Sequence, residues 1–122
     1  MPSQNVTSTE FESLINENQI VFIDFWADWC APCKQFTTIY EQVSVQFPNI
    51  KFAKVNIEAE QELANFFEIR SIPHLMVFKD AIVVYSNAGN MPASALNELV
   101  RQVLATDISA IKALFEQGDQ QK

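Results

Sequence analysis

Apolar and polar residues alternate along this chain in blocks, and the period of the pattern changes between that of a strand and that of a helix. The longest continuous block, Ile20–Trp26, is nearly all apolar and predicts a central strand that is buried on both faces. Three later blocks also predict strands, and the last two of them form a hairpin. These are Lys51–Asn56, Leu75–Phe78 and Ala81–Tyr85, with the hairpin turn at Lys79-Asp80.

Apolar residues spaced three and four positions apart predict helices between these strands. The expected helices run from a capping box at Thr7 to about Asn18, from Pro32 to the break at Pro48, over Glu58–Phe67, and from near Pro92 to Leu104. In the third of them, Leu63, Phe66 and Phe67 are expected to face the core. Helices that alternate with strands indicate an α/β fold, with the antiparallel hairpin late in the sheet.

The C-terminal end continues the apolar pattern past the last predicted helix. Ile108, Ile111 and Phe115 extend the helical spacing, although Thr106-Asp107 is also suited to capping a new helix. We therefore divide the chain into a domain over 1–105 and an extension over 106–122, which is expected to be helical and packed on the same domain. A dimer or partner surface is the alternative for this segment.

Length and composition fit one domain with a packed core, because the 122 residues are 48% hydrophobic and include ten Phe. A net charge of −7 argues against a nucleic-acid binder, which needs a basic face. The sequence shows no leader pattern and no run of membrane-spanning length. We expect a cytoplasmic protein with no membrane association.

The chemistry-bearing segment is Cys30-Ala31-Pro32-Cys33, which lies between the central strand and the second helix. Two thiols at this spacing and position are typical of a dithiol that opens and closes a disulfide. The alternatives are two inert buried cysteines or part of a zinc site. Zinc normally takes four Cys or His ligands, and only His74 is available to join this pair, so no metal is expected.

The two cysteines are expected to have different roles. A sulfur at the start of a helix faces unpaired backbone N–H groups and the positive end of the helix dipole, which lowers the pKa of a thiol. Cys30 is therefore the predicted nucleophile, and Cys33, one turn further along, the predicted resolving thiol. Pro32 fits the first turn of this helix, where its missing N–H costs nothing.

From about Phe11 to Leu104, the sequence resembles the thioredoxin family. The resemblance rests on Val21–Ala27 followed by Trp29-Cys30 and Pro32-Cys33-Lys34, then on Lys54-Val55-Asn56 and on Ser71-Ile72-Pro73. It implies a central mixed β-sheet flanked by four helices, with a first strand near Gln4–Val6. It also implies a monomer that reduces disulfides in protein substrates through a Cys30–Cys33 disulfide. Such a protein holds no bound cofactor and receives electrons from NADPH through a thioredoxin reductase.

The resemblance also assigns roles to residues around the dithiol. Asp24 is expected to move the proton of the resolving thiol, with a pKa raised by burial, and Lys54 to tune that carboxylate. Pro73 is expected to be a cis-proline that exposes the backbone of Ile72 to an extended substrate. The implied substrate-binding residues are Trp29, Ala31, Pro32, Ile72, Pro73 and Gly89. An inert Asp24, a solvated Lys54 and a trans Pro73 are the alternatives.

Four positions depart from the family pattern. Ala31 and Ala81 stand where Gly is usual, so the turn at Ala81 must differ in type. Thr38 replaces a Pro that kinks the second helix, which predicts a straighter helix. His74 stands where Thr is common. It is a modulator candidate, as an imidazolium that favours the Cys30 thiolate, or else a surface residue at the start of a strand.

These observations favour a cytoplasmic protein-disulfide reductase over two other functions. One is a disulfide isomerase or oxidant on the same fold, which Ala-Pro between the cysteines disfavours. The other is a non-catalytic binding or chaperone scaffold, which only the C-terminal extension supports.

Overall fold

Strands and helices alternate through residues 3–109, the part of the chain that this computed structural model describes. The strands are β1 Ser3–Asn5, β2 Ile20–Trp26, β3 Lys51–Asn56, β4 His74–Lys79 and β5 Ile82–Ala88. The helices are α1 Ser8–Glu17, α2 Ala31–Ser44, α3 Gln61–Phe66 and α4 Ala93–Ala105. The predicted α/β fold is confirmed, and so is the sheet with four helices that the resemblance implied.

The five strands form one mixed sheet in the order β1-β3-β2-β4-β5, so β2 is central and β5 is an edge strand. Strands β1, β3 and β2 run parallel, whereas β4 is antiparallel to both β2 and β5. The short β1 was visible only through the family resemblance, because three polar residues carry no strand pattern.

Side chains of β2 point alternately to two hydrophobic cores. Val21, Ile23 and Phe25 pack with Phe11 of α1 on one side of the sheet. Phe22 and its even-numbered neighbours face the core that contains the buried residues of α2 and α4. Position 24 therefore belongs to the face covered by α2, the helix that carries Cys33.

Helix α3 corrects one prediction about the core. It has six residues rather than the predicted ten, and Phe66 is 77% exposed instead of facing inward. Phe67 fills the inward position, with its ring against Phe11, Phe25 and Phe78. Consecutive residues at a helix end point in different directions, so both aromatic rings cannot enter the same core.

The β4–β5 turn lies one residue later than predicted, at Asp80-Ala81. Both residues have positive φ angles, 51° and 66°, as in a type I′ hairpin turn. Lys79 stays in the ladder opposite Ile82, which moves the turn beyond it. The hairpin itself is confirmed. The expectation that Ala81 requires a different type of turn is wrong, because Ala81 adopts the positive φ angle that favours Gly.

Lys79 is also bound at the end of α4. Its Nζ donates to the carbonyl oxygens of Val103 at 2.7 Å, Leu104 at 3.3 Å and Thr106 at 2.6 Å. The ammonium thus satisfies carbonyls that a helix leaves unpaired at its C-terminus.

The chain changes direction after α4, because Thr106 has an extended conformation. Asp107 Oδ1 accepts a hydrogen bond from the backbone N–H of Ser109 at 2.9 Å, which is the geometry of a cap, and Ile108 is buried. The helical spacing therefore does not continue α4. Ile111, Phe115 and most of the predicted helical extension lie outside the described residues.

Candidate active site

The two cysteines meet at the start of α2, just beyond the end of β2. Cys30 is the N-cap residue of the helix, and its Sγ accepts a hydrogen bond from the backbone N–H of Cys33 at 3.2 Å. The pair forms a disulfide, with Cα atoms 5.2 Å apart. Cys30 thus has the predicted place at a helix N-terminus, with a backbone donor aimed at its sulfur.

Apolar side chains surround the disulfide on the inner side. Cys30, Cys33 and Ala27 form a small buried cluster, against which Ile57 and Ile72 pack. Cys33 has no exposed surface, whereas Cys30 is 4% exposed at the rim. Only Cys30 can therefore meet a substrate directly.

Two neighbours of the dithiol differ in whether the sequence predicted them. Trp29, expected beside the thiols, is 65% exposed. Ile57 was missed, although its position immediately after β3 was a usable signal. In a parallel pair, residues that follow neighbouring strands lie close together, and the Ile57 N–H donates to the Trp26 carbonyl at 2.9 Å.

The Pro73 loop borders Cys30 on the other side. The Ile72-Pro73 peptide bond is cis, and Cys30 Sγ lies 3.8 Å from the carbonyl oxygen of Ile72. Gly89 N–H donates to the Pro73 carbonyl at 2.8 Å, which brings the end of β5 to the same place. Gly89 has a φ of 121°, a conformation that favours glycine. The structure therefore brings Ile72, Pro73 and Gly89 together beside Cys30.

Ala31 and Pro32 form the first turn of α2 and are exposed. Pro32 occupies a position at which no intrahelical N–H is needed. From that turn, α2 continues without interruption past Thr38, as the missing Pro predicted.

Asp24 is fully buried on the α2 face of the sheet. Among the described residues, neither of its carboxylate oxygens has a hydrogen-bond partner. Burial raises the pKa of Asp24 from 3.8 to about 7, and the positive charge of Lys54 opposes this rise. A carboxyl group with this pKa can both accept and release a proton near neutral pH.

Lys54 lies directly opposite Asp24 in the β2–β3 register. Its Nζ is 4.6 Å from the centre of the Trp26 ring, in cation–π geometry. The ammonium of Lys54 thus lies over the Trp26 ring, on the strand next to Asp24.

His74 begins β4 immediately after Pro73 and is half-buried. Its Nε2 is hydrogen-bonded to Ser86 Oγ at 2.8 Å. Its ring contacts Phe25 edge-on, with the two ring centres 6.2 Å apart. Burial lowers the pKa of His74, so the neutral imidazole is favoured over the imidazolium considered from the sequence. Ser86 was not predicted, since β5 was expected to end at Tyr85.

Residues 3–109 hold no group of three or more His, Cys, Asp or Glu residues arranged to bind a metal ion. None of the helices in this part of the chain is long and apolar enough to cross a membrane.

Comparison with known proteins gives consistent matches over most of the chain. The thioredoxin family model matches residues 2–102. The chain is 40% identical over 116 residues to a thioredoxin-type protein of Streptomyces coelicolor, which covers 94% of this chain and 87% of that relative. It is 36% identical over 99 residues to a thioredoxin of Bacillus subtilis, which covers 80% of this chain and 94% of that one.

Solved structures show the same similarity. A thioredoxin from Plasmodium falciparum superimposes with a TM-score of 0.76 at 34% identity, covering 81% of this chain and 97% of that one. A mutant thioredoxin from Halobacterium salinarum superimposes with a TM-score of 0.77 at 30% identity, covering 82% and 88% of the two chains.

Proposed function

The chain belongs to the thioredoxin family and is a thiol-disulfide oxidoreductase that reduces protein disulfides, and we propose separate roles for its two cysteines. Cys30 attacks the substrate disulfide, and Cys33 resolves the mixed disulfide that forms. One observation carries this assignment of roles. Cys30, the N-cap residue of α2, keeps 4% of its surface exposed, whereas Cys33 is fully buried. The comparisons do not favour the isomerase, oxidant or scaffold alternatives.

In the proposed cycle, the Cys30 thiolate attacks one sulfur of the substrate disulfide. A mixed disulfide forms, and the first substrate thiolate leaves. Cys33 then loses its proton and attacks Cys30 Sγ, which releases the second substrate thiol. The substrate gains two electrons, and the protein is left with the Cys30–Cys33 disulfide that this structure contains.

Asp24 is proposed to accept the proton of Cys33. It lies on the face of β2 covered by α2, and its pKa of about 7 makes it a base that is partly deprotonated at neutral pH. Lys54, opposite Asp24, is proposed to keep that pKa from rising further.

The substrate is proposed to lie in a groove between the first turn of α2 and the Pro73 loop. The walls of this groove are Trp29, Ala31 and Pro32 on one side and Ile72, Pro73 and Gly89 on the other. The Ile72 carbonyl, whose oxygen is 3.8 Å from Cys30 Sγ, is proposed to pair with the backbone of an extended polypeptide.

We further propose that NADPH supplies the electrons through a thioredoxin reductase, and that the protein is a cytoplasmic monomer. A dithiol that must return to its reduced form after each cycle fits a reducing compartment. We also propose that the extension over 106–122 packs on the domain over 1–105, in line with the buried Ile108 at its start.

The roles of the cysteines can be separated with two matched variants. In Cys33→Ser, the substrate should stay attached to Cys30 through a mixed disulfide, because the variant has no second thiol to resolve it. In Cys30→Ser, no such adduct should form. Mass spectrometry of each reduced variant after mixing with a protein disulfide would show this. An adduct on Cys33 in the Cys30→Ser variant, at the rate seen for Cys33→Ser, would contradict the assignment.

Activity of the unchanged protein is tested by turnover of a protein disulfide in the presence of NADPH and a thioredoxin reductase. A reduction potential in the range of the strongly oxidising members of this fold would contradict the reductase function.

A further inference from the structure

The end of β5 forms one border of the proposed substrate groove, but its side chains are hardly packed. β5 is an edge strand, and Ser86, Asn87 and Ala88 are all exposed. Just beyond them, Gly89 donates its N–H to the Pro73 carbonyl. Exposed ends of edge strands are held mainly by backbone hydrogen bonds and separate easily.

His74 ties this end to β4 through its side chain. In the β4–β5 register, His74 lies opposite Ala88, and Ser86 lies opposite Met76, so the bond between His74 and Ser86 crosses the two strands diagonally. The edge-on contact with Phe25 of β2 fixes the imidazole from the other side. His74 therefore links the central strand, the Pro73 loop and the end of β5.

The surroundings of His74 suit a neutral ring with a positioning role. A half-buried imidazole against an aromatic ring is favoured in its neutral form, and either tautomer can form one hydrogen bond with a serine hydroxyl. In that state it offers little positive charge to the Cys30 thiolate.

We propose that the His74–Ser86 hydrogen bond holds the end of β5 against the Pro73 loop and so determines how tightly the groove binds disulfide-containing polypeptides. His74 is then a positioning residue for substrate binding and takes no part in the sulfur chemistry. The inference rests on the proposed groove between α2 and the Pro73 loop.

The test separates binding from chemistry in single-turnover reactions. Pre-reduced protein is mixed with increasing concentrations of a protein disulfide, and in parallel with a small non-peptide disulfide that does not need the groove. The variants are Ser86→Ala, His74→Ala, the double variant, and the conservative His74→Gln, whose amide can still bond to Ser86. Asn87→Ala, a neighbouring exposed residue of β5, is the matched control.

Ser86→Ala and His74→Ala should each raise the half-saturating concentration of the protein disulfide by about three- to tenfold, the range that one hydrogen bond supports. The limiting rate and the reaction with the small disulfide should not change. The double variant should be no worse than either single one, whereas His74→Gln and Asn87→Ala should behave as wild type. Amide exchange at Gly89 should accelerate in Ser86→Ala but not in Asn87→Ala.

Unchanged half-saturation and unchanged Gly89 exchange in Ser86→Ala would overturn the proposal. A slower reaction of the His74 variants with the small disulfide would overturn it in favour of a direct effect on Cys30. If the wild-type protein reduced the small disulfide but no protein disulfide, the proposed substrate groove would fail instead.

Discussion

Two buried ionisable side chains lie at opposite ends of the sheet, and they differ in their hydrogen bonding. Asp24 lies towards the dithiol end of β2, fully buried, and neither of its oxygens has a hydrogen-bond partner among the described residues. Lys79 lies opposite Ile20, at the other end of β2, and its ammonium donates to three backbone carbonyls. A buried charge without partners is costly, whereas a buried charge with several hydrogen bonds stabilises the groups it joins.

This difference separates a functional end of the sheet from a structural end. At the structural end, Lys79 donates hydrogen bonds to carbonyls at the C-terminus of α4 and directly precedes the hairpin turn. At the functional end, Asp24 has a pKa near neutrality, which fits the role of proton acceptor that we propose for it.

Asp24 should make the protein less stable as the pH rises from about 4 to about 7. Its pKa is raised from 3.8 to about 7, so the folded state holds a proton that the unfolded state has lost. Over this pH range the free energy of unfolding should fall by about 4 kcal/mol. Urea unfolding of the oxidised protein at pH 4 and pH 8 measures it. Asp24→Asn should lack this dependence, whereas Asp28→Asn, which removes an exposed carboxylate, should keep it.

Lys79→Met should lower the free energy of unfolding by about 2 kcal/mol, because the variant loses the three hydrogen bonds that the ammonium donates to carbonyls at the end of α4. Reduction of a protein disulfide by the folded variant should proceed at the wild-type rate. Lys34→Met, which replaces an exposed lysine, serves as the stability control. A Lys79→Met protein with wild-type stability would remove the contrast with Asp24.

Ala81→Gly should raise the free energy of unfolding by about 1 kcal/mol, since Ala81 has a φ of 66° that glycine adopts without strain. Thermal unfolding would measure the gain, and the reduction potential should stay unchanged. A shift in that potential would mean that the two ends of the sheet are coupled.

Lys54→Met should raise the pKa of Asp24 further above 7, because the lysine charge is the influence that lowers it. NMR titration of the Asp24 carboxyl carbon follows this directly. Lys51→Met is the matched control, since Lys51 lies on the same strand but its side chain points to the opposite face of the sheet. An equal shift in both variants would show that Lys54 has no special relation to Asp24.

Much of this fold could be predicted from the sequence. The limits of β2 and β3 were predicted to the residue, because apolar runs inside a sheet end where turn residues begin. The cysteines could be singled out by their spacing and position at a helix start, whereas Asp24 was singled out through the family resemblance.

The errors share a physical cause. Phe66 and Phe67 look alike in sequence, and only the direction of α3 decides which ring enters the core. Lys79 was assigned to a turn because a lysine between strands is normally solvated. Its burial depends on α4, whose last carbonyls reach it from 24 residues further along the chain.

The sequence by itself determined the order of strands and helices, the place of the dithiol at a strand-to-helix junction, and the family. These depend on local periodicity and on short motifs. Only the tertiary structure shows that Asp24 has no hydrogen-bond partner among residues 3–109, whereas Lys79 has three. It also shows that His74 is hydrogen-bonded to Ser86 and half-buried, which favours the neutral ring over an imidazolium beside Cys30. Burial and hydrogen bonding arise between segments far apart in the chain, so the protonation of these groups is a property of the folded state.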